Sequence, residues 1–371
     1  MKKFLDCISI VGATPRKFHG TKKYVSTGAV ATTEIDESEV VEVTYEDRPS
    51  RANLSAEAGD ILFAKMQGTR KTLLLDSETE ENIYSTGFYA VRANPEVITT
   101  ECLYYLIDSE LFLAQKDKNC SGATQKAITN GGMAKIEISV PALSEQGILV
   151  DKLKHLTQLI ADKKKQLNLF DEIIKSRFIE MFGDPKTNPM KWDMVTIGDI
   201  ATDVRYGTSR PATEDGKYPY LRMNNLTYEG YLDLKDLKYI DIPDNEVEKC
   251  VVRYGDVLFN RTNSVELVGK TCVYDLDYDT IIAGYIIRVR IDDRILPIVF
   301  SNYLNSKVLK EQLRSMAKGA VNQANINAQE LKSIPIYLPP IDLQNEFVAF
   351  VEQTDKSKYH GEFTCGMEVA A

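Results

Sequence analysis

The sequence predicts an α+β protein that contains two copies of one unit, separated by a long α-helix that pairs with a shorter C-terminal helix. Three observations predict this arrangement. The phrase GDILFAK (59–65) returns as GDVLFNR (255–261), about 196 positions later. A sustained heptad pattern of apolar residues begins at Leu149. After the second copy, a similar helical pattern begins near Ile341.

The repeated phrase is one part of a longer internal duplication. Four further pairs of segments recur in the same order, at nearly the same offset: TGFYAVR (86–92) and AGYIIRV (283–289), YYL (104–106) and NYL (302–304), SGATQKAIT (121–129) and KGAVNQANI (318–326), and SVPALSEQ (139–146) and YLPPIDLQ (337–344). Short solenoid repeats span only about 20–50 residues, so this period corresponds to a whole domain. We therefore predict four segments: 1–142, 143–182, 183–340 and 341–371.

Each of the two large units is predicted to contain short strands and short helices. Apolar runs predict strands at DILFAKM (60–66), FYAVRA (88–93), IEISVPA (136–142), DVLFNRT (256–262), TCVYDL (271–276), IIAGYIIRVRI (281–291) and IPIYLP (334–339). Helical periodicity is found in residues 100–115 and 298–317. This mixture is typical of an α+β fold.

The segment between the units is predicted to form one helix over residues 143–182. Apolar residues fill most of the positions that alternate steps of four and three, as in a coiled coil. These positions are Leu149, Leu153, Leu156, Ile160, Lys163, Leu167, Phe170, Ile174, Arg177 and Met181. Gly183 and Pro185 are expected to end the helix. Because a single helix with an apolar stripe must bury that stripe, a partner helix is expected.

The second helix is predicted to begin at Ile341 and to be much shorter than the first. Phe347, Phe350 and Val351 supply a short stripe, but YHGEFTCGMEVAA (359–371) has two glycines and no heptad. We expect about four turns followed by a frayed tail. Part of the first helix would then have an uncovered apolar seam, and such a stripe usually marks a binding surface. The residues predicted to bind a partner there are Leu167, Phe170, Ile174 and Met181.

Composition and motifs argue against several classes of function. The net charge of −9 disfavours non-specific nucleic-acid binding over the whole surface. No apolar run is long enough for a membrane span. No nucleotide or methyl-donor fingerprint occurs, so no cofactor is expected. Six cysteines without a C-x-x-C spacing and only three histidines argue against a metal site, and scattered thiols fit a reducing cytoplasm.

One stretch comes close to a phosphate-binding motif. SVELVGKT (264–271) resembles a P-loop, but Ser264 stands where the first glycine belongs, and no helical pattern follows Thr271. We therefore predict a turn in a strand-rich unit, with an exposed lysine at Lys270.

Several phrases together resemble a known family. Each helix is introduced by a proline-containing phrase that ends in glutamine, PALSEQ and LPPIDLQ, and the first helix closes with KSRFIEMFGDP (175–185). The second unit contains YPYLRMNNL (218–226) before GDVLFNRTNS. Over about residues 1–355 the chain resembles the DNA specificity subunits of type I restriction–modification enzymes.

The resemblance implies a function and a set of partners. The units 1–142 and 183–340 would be target-recognition domains, each contacting one half of a split site in double-stranded DNA. The two helices would pack antiparallel as a coiled coil and fix the spacer. Methyltransferase subunits and motor–nuclease restriction subunits would carry out the chemistry, and this chain would be non-catalytic. The methyltransferase subunits would cover the uncovered seam.

Polar loops that match between the two copies are the candidates for DNA contact, because Arg, Lys, Asn and Gln recognise base edges. In the first unit they are Lys65, Gln67, Thr69, Arg70, Lys71, Gln125 and Lys126. In the second unit they are Arg205, Tyr206, Thr208, Ser209, Arg210, Arg222, Asn224, Asn225, Asn260, Arg261, Thr262, Asn263, Ser264, Asn322, Gln323 and Asn325. The same residue types also favour solvated turns, so the assignment of any one residue stays open.

Two other functions remain as alternatives. The first is a coiled-coil scaffold with duplicated protein-binding domains that does not bind DNA, which the acidic net charge favours. The second is a single-chain methyltransferase, which would need a catalytic Asn/Asp-Pro-Pro-aromatic phrase. The chain's only Pro-Pro pair, Pro339–Pro340, lies between Leu338 and Ile341 and does not fit that phrase.

Overall fold

The computed structural model describes the backbone of residues 1–317 and 324–370 and the side chains of residues 1–317 and 324–358. The chain divides into two compact units, residues 1–161 and 162–371. The division falls inside the long helix, so each unit carries part of it.

The first unit is built mainly from short strands. The strands are β1 (Lys2–Lys3), β2 (Ile8–Val11), β3 (Lys22–Val25), β4 (Val41–Val43), β5 (Ala52–Leu54), β6 (Ile61–Ala64), β7 (Thr72–Leu74), β8 (Ile83–Ser85), β9 (Phe88–Ala93) and β10 (Glu137–Ile138). The helices are α1 (Thr100–Ile107), α2 (Glu110–Lys118) and α3 (Asn130–Met133), and the long α4 (Leu143–Phe182) begins in this unit and continues into the second. Short 3₁₀ turns lie at Phe4–Asp6, Glu37–Glu39 and Thr79–Glu81.

The second unit repeats this plan. Its strands are β11 (Asp193–Thr196), β12 (Ala201–Tyr206), β13 (Tyr218–Leu221), β14 (Lys238–Ile240), β15 (Val251–Val252), β16 (Val257–Asn260), β17 (Thr262–Asn263), β18 (Thr271–Val273), β19 (Thr280–Ile282), β20 (Ile286–Ile291), β21 (Ala324–Asn325) and β22 (Pro335–Leu338). Its helices are α5 (Ile197–Ile200), α6 (Asp244–Cys250), α7 (Pro297–Asn305), α8 (Lys307–Met316), α9 (Ala328–Lys332) and α10 (Ile341–Ala370), with a 3₁₀ turn at Met223–Asn225.

The two units have the same sheet topology. One four-stranded sheet has the order β2-β9-β6-β7 in the first unit and β12-β20-β16-β18 in the second. The other has the order β4-β3-β8-β5, matched by β14-β13-β19-β15, and in each of these sheets the central pair is parallel. The two-stranded sheets β1-β10 and β11-β22 also correspond. The duplication predicted from the sequence is therefore a duplication of structure.

The glycine of the repeated GD phrase permits a tight turn before a buried strand. Gly59 and Gly255 both have φ of +87°, in the left-handed region that residues with a Cβ rarely adopt. Both donate their N–H to a carbonyl on the neighbouring chain segment at 2.8 Å, Leu75 and Tyr274 respectively. The strand that follows, β6 or β16, is buried along its whole length.

The aspartate of the phrase is buried and ties the turn to the next strand. In the first unit the Arg92 guanidinium donates to both Asp60 carboxylate oxygens, at 2.6 and 3.1 Å. In the second unit Arg290 does the same to Asp256, at 2.8 and 3.1 Å. A bidentate pair of this kind is among the stronger side-chain contacts in proteins. The phrase is thus repeated because it stabilises the scaffold, and the DNA-contact candidates follow it.

The glutamine that ends each proline-containing phrase is fully buried and anchors a long helix. The Gln146 amide accepts a hydrogen bond from the Thr99 N–H (2.7 Å) and donates to the carbonyls of Val97 and Pro141 (3.0 Å each). Gln344 makes the matching contacts, since its amide accepts from the Leu296 N–H and donates to the carbonyls of Arg294 and Pro339. Each helix therefore starts at a fixed position on its own unit.

The C-terminal helix is longer than the sequence predicts. It runs from Ile341 to Ala370, 30 residues against the 40 of α4, instead of ending after about four turns. Its first part packs antiparallel to the end of α4, since the Phe347 ring lies 5.5 Å from that of Phe178 while Lys358 pairs with Asp171 further along. The two glycines that suggested a frayed tail did not end the helix, because a helix tolerates single glycines at a cost of about 1 kcal/mol each.

The predicted uncovered seam of α4 is partly wrong. Ile174 and Met181 are buried, at 4% and 8% exposure, in the core of the second unit. Phe347 and Val351 of α10 belong to the same core. Leu167 and Phe170 are half-buried. The reason is that this part of the helix packs against its own unit and α10, which the heptad pattern alone could not indicate.

Candidate nucleic-acid interface

In the first unit, two of the predicted loops lie side by side. The loop that follows β6 runs next to the loop of residues 120–128, through a bridge between Met66 and Ala127. The Ile128 N–H donates to the Lys65 carbonyl at 2.8 Å, and the Gln67 N–H donates to the Lys126 carbonyl at 3.0 Å. Segments far apart in sequence thus form one polar edge.

The second unit brings together the matching loops in the same way. Strand β17, directly after β16, pairs with β21, with Thr262 opposite Asn325. The Ile326 N–H donates to the Arg261 carbonyl at 2.9 Å, which is the counterpart of the bond between Ile128 and Lys65. Asn322 and Gln323 lie outside the described residues.

A third predicted segment joins this edge in the second unit. Thr208 bridges to Ala283, and the Gly284 N–H donates to the Thr208 carbonyl at 2.8 Å. The Tyr206 hydroxyl accepts a hydrogen bond from the Ala328 N–H at 2.8 Å, which links the segment to the start of α9. Residues 205–209, 261–264 and 324–328 therefore form one surface.

Four of the predicted DNA-contact residues are buried and serve the scaffold instead. Thr208, Asn225, Asn260 and Thr262 are at most 8% exposed. The Asn260 amide donates to the carbonyls of Thr262 and Tyr285, both at 3.2 Å. The Asn225 amide donates to the Asp233 carbonyl at 2.8 Å. Asn and Thr side chains commonly form hydrogen bonds with the backbone of turns in this manner, and their burial makes these four residues weaker candidates for base contact.

Four of the predicted arginines are engaged in ion pairs with carboxylates. The pairs are Arg70 with Asp108 (2.7 Å), Arg205 with Asp203 (2.8 Å), Arg210 with Glu246 (2.8 Å) and Arg222 with Asp236 (2.7 Å). Hydrogen bonding to the Asp108 carboxylate raises the pKa of Arg70, and hydrogen bonding to Glu246 raises that of Arg210. These cations are already neutralised, so they are weaker candidates for DNA contact.

The two predicted lysines after β6 donate to main-chain carbonyls. Lys65 donates to Thr86 at 2.9 Å, with its ammonium 4.3 Å from the centre of the Tyr89 ring. Desolvation lowers the pKa of Lys65. Lys71 donates to the Thr27 carbonyl at 2.6 Å. Both side chains are half-buried, and neither is in an ion pair within the part of the chain that the structure describes.

The remaining candidates are mainly at the surface. Exposed side chains are those of Gln67, Gln125, Lys126, Ser209, Asn224, Ser264 and Asn325, while those of Thr69 and Asn263 are half-buried. The Gln67 amide donates to the Asp117 carbonyl at 3.2 Å, and that of Gln125 lies 3.6 Å from the Met66 sulfur. These residues stay predictions for DNA contact.

The sequence reasoning missed one aromatic residue at this edge. Tyr285 is 51% exposed, and its carbonyl accepts the Arg261 N–H at 2.9 Å. It lies in AGYIIRV (283–289), a segment that indicates the duplication. An exposed tyrosine is able to stack on a base or sugar. The repeat does not indicate this exposure, because the matching residue of the first unit, Phe88, is buried.

The near-match to a P-loop does not form a phosphate site. Lys270 is buried rather than exposed as predicted, and its ammonium donates to the Leu226 carbonyl at 2.9 Å. Lys310 is also buried, and it donates to the Gly269 carbonyl at 2.6 Å. Both lysines thus support the backbone of the loop.

Metal-binding clusters and membrane-spanning helices are both absent from the described part of the chain. Among the side chains of residues 1–317 and 324–358, no group of three or more His, Cys, Asp or Glu is placed to hold a metal ion. No helix in this same part of the chain is long and apolar enough to cross a membrane.

The duplicated scaffold and its paired polar loops define a two-module recognition protein, in which each module presents the same kind of edge. Comparison with known proteins identifies the class further. The family model described as the type I restriction modification DNA specificity domain matches residues 10–169 and again residues 189–360. The chain therefore belongs to the family of type I restriction–modification DNA specificity subunits.

Individual relatives support the same assignment. The chain is similar to the EcoKI specificity subunit of Escherichia coli K12, with 25% identity over 313 residues that cover 79% of this chain and 67% of that protein. It is similar to the StySPI specificity subunit of Salmonella potsdam, with 24% identity over 294 residues that cover 72% of this chain and 61% of that one.

Solved structures agree in fold. One chain from a structure of a type I restriction–modification system, described for its complex assembly and conformational transition, matches with a TM-score of 0.53 and 20% identity, covering 98% of this chain and 94% of that one. The S subunit of the M. genitalium type I system matches with a TM-score of 0.50 and 12% identity, covering 98% and 91%. The duplicated α+β architecture with its two long helices is thus the fold of this family.

Proposed function

We propose that this chain recognises a split DNA site, that each unit contacts one half of it, and that the chain directs methylation and restriction by partner subunits without being catalytic itself. The observation that carries the proposal is the repetition of one two-loop edge, seen in the matching bonds from Ile128 to Lys65 and from Ile326 to Arg261. Recognition of two half-sites requires two such edges on one chain.

The long helix supports a role in setting the spacer between the half-sites. Helix α4 is one continuous element of 40 residues, or about 60 Å at 1.5 Å per residue. Half-sites on one face of B-DNA repeat about every 34 Å. A rigid helix holds such a distance, whereas the end-to-end distance of a flexible linker fluctuates.

Partner subunits are proposed to dock beside α4. Leu169 and Ile173 lie one turn apart on this helix and are 53% and 47% exposed. A cavity of about 960 Å³ opens in the second unit, lined in part by Ile179 and Val348. These apolar surfaces are suited to helices of methyltransferase subunits, and they replace Ile174 and Met181 as the proposed contact. Motor–nuclease subunits would then join the assembled complex.

The proposed location is the cytoplasm, where the DNA and the partner subunits would be. The five cysteines that the structure describes are free thiols, which fits a reducing compartment.

The decisive experiment exchanges one unit. Residues 1–142 would be replaced by the corresponding unit of another specificity subunit, and the methylated motif would be determined by methylome sequencing of a host that carries the partner subunits. We expect one half of the motif to change while the other half stays. A change in both halves, or in neither, would contradict the proposal. A scaffold that does not bind DNA would give no motif and no salt-dependent DNA affinity.

A further inference from the structure

Arg261 is held in a fixed position at the centre of the second unit's edge. Its N–H donates to the Tyr285 carbonyl and its carbonyl accepts from the Ile326 N–H, both at 2.9 Å. It directly follows β16, which is buried along its whole length. The backbone of Arg261 is therefore hydrogen-bonded to the two segments that flank it.

The Arg261 side chain is also oriented before any ligand arrives. Its guanidinium carbon lies 4.9 Å from the centre of the Tyr206 ring, which is the geometry of a cation–π contact. Tyr206 is itself anchored, since its hydroxyl accepts the Ala328 N–H at 2.8 Å. One guanidinium nitrogen, Nη1, reaches the Gly284 carbonyl only at 3.5 Å. A pre-oriented arginine loses less conformational entropy when it binds.

Charge distinguishes Arg261 from the other predicted arginines. Arg70, Arg205, Arg210 and Arg222 each have a carboxylate within 2.8 Å. Among the described side chains, those of residues 1–317 and 324–358, Arg261 is in no ion pair, and its guanidinium contacts the Gly284 carbonyl and the Tyr206 ring. An arginine in an ion pair must give up that pair before it binds DNA, whereas Arg261 need not. Arg261 is thus an arginine of this edge that is already oriented and is not in an ion pair.

We infer that Arg261 recognises a guanine in the half-site contacted by the second unit, through paired hydrogen bonds from its guanidinium to O6 and N7 of the base. This geometry suits arginine, because the planar fork matches the two acceptors of guanine in the major groove. The exposed Tyr285 and Asn325 flank the position and would contact neighbouring bases or sugar. The inference rests on the proposed function and specifies the ligand of one residue within it.

The first unit has a lysine at the matching position. Lys65 also follows its buried strand and also lies over a tyrosine ring, Tyr89. An ammonium group is a point charge and cannot form the planar fork. The two half-sites should therefore differ here, with a strict guanine requirement only at the position that Arg261 contacts.

The test uses the whole complex, formed by the chain and its methyltransferase and restriction partners. Three variants, Arg261→Ala, Arg261→Gln and Arg261→Lys, would be compared with wild type by methylome sequencing and by equilibrium binding to duplexes substituted at each motif position. Arg253→Ala is the matched control, since Arg253 is an arginine of the same unit paired with Glu248 at 2.6 Å. Folding is checked in each case by thermal unfolding.

We expect the loss of sequence discrimination to be confined to one base position of the DNA motif. Arg261→Ala should reduce discrimination for guanine there by roughly 5- to 150-fold while the other half-site is unchanged. Arg261→Gln should shift the preference toward adenine, and Arg253→Ala should leave the motif intact. If Arg261→Ala misfolds, the Gln and Lys variants decide the question.

Other outcomes overturn the inference. A uniform loss of affinity over all sequences, with a salt slope reduced by about one, would identify a phosphate contact. An unchanged motif in Arg261→Gln would remove the residue from recognition altogether. In both cases the wild-type complex still shows a split motif, so the proposed function stands. A wild-type complex without a split motif would instead refute the proposed function.

Discussion

Replacing Gln344 by leucine should destabilise the second unit while hardly changing side-chain volume. Gln344 is fully buried at the start of α10. Its amide oxygen accepts from the Leu296 N–H at 2.8 Å, and its amide nitrogen donates to the carbonyls of Arg294 (3.0 Å) and Pro339 (2.8 Å). The leucine variant removes all three bonds and leaves one backbone donor and two backbone acceptors buried without these partners.

The size of the effect follows from this count. A lost hydrogen bond between neutral groups costs about 1 kcal/mol net, and a buried group left unsatisfied costs about 1–3 kcal/mol. Three such groups give an expected loss of about 3 kcal/mol or more in the free energy of unfolding of the second unit. For a domain of this size, that loss corresponds to a decrease in Tm of roughly 6–12 °C.

A natural fluorescent probe makes the measurement specific. The chain has one tryptophan, Trp192, and its indole N–H donates to the Phe182 carbonyl at 3.0 Å within the second unit. Urea unfolding followed by Trp192 fluorescence should report the loss for Gln344→Leu. The exposed Gln353 on the same helix supplies the control, and Gln353→Leu should change stability by less than about 0.5 kcal/mol.

The equivalent change in the other unit supplies a second control. Gln146→Leu removes the same three bonds from the first unit, so it should leave the Trp192 transition unchanged and lower the stability seen by hydrogen exchange near Val97 and Thr99. A loss of less than about 0.5 kcal/mol for Gln344→Leu, equal to that of the surface control, would refute the argument that these bonds stabilise the fold.

Three further predictions concern charge, helix length and assembly. Burial, with Arg314 and Lys270 nearby, lowers the pKa of Lys310 to about 7. Between pH 7 and 8.5 the unfolded chain then binds more protons than the folded chain, so the free energy of unfolding should rise with pH. In urea titrations, Lys310→Met should show a smaller rise than wild type. Equal slopes of the free energy of unfolding against pH in the two proteins would contradict this. Four residues inserted after Lys163 lengthen the helix by about 6 Å and rotate its end by about 40°. Affinity for a DNA site with the native spacer should therefore fall. Unchanged binding would show that the helix does not set the spacer length. Replacing Leu169 and Ile173 with glutamate should weaken co-purification with the methyltransferase subunits while Trp192 fluorescence stays native, and intact assembly would show that these side chains do not form the contact.

The repeated phrases predicted the architecture because they carry scaffold chemistry. A glycine with positive φ followed by a buried aspartate, as at Gly59 and Asp60, is required wherever this turn occurs. The buried glutamines are constrained in the same way. Such residues cannot change without loss of stability, so both copies kept them and the duplication stayed visible in the sequence.

The candidate interface was harder to predict, since the same residue types cap turns and contact bases. Asn260 and Arg261 are neighbours, yet one is fully buried and the other is placed at the edge. The amino-acid sequence alone does not indicate which of the two is buried. The ion pair between Arg210 and Glu246 joins residues 36 positions apart, and only the fold brings them together.

The helix prediction was wrong at the end of α10 and for part of the seam of α4. The tail after Lys358 has no heptad, but α10 nevertheless continues to Ala370. On α4, the seam residue Ile174 is buried by its own unit. A heptad pattern indicates that a stripe is covered, but it does not indicate by what.

The glutamine anchors have a consequence for the ancestry of such proteins. Every bond made by Gln146 and Gln344 goes to a main-chain N–H or carbonyl, and none depends on a side chain of the recognition unit. A helix that begins in this way can be joined to any unit whose backbone follows the same path, whatever the identity of its surface residues. Genetic exchange at these joints would produce a new DNA specificity in one step, without a series of compensating substitutions at the junction.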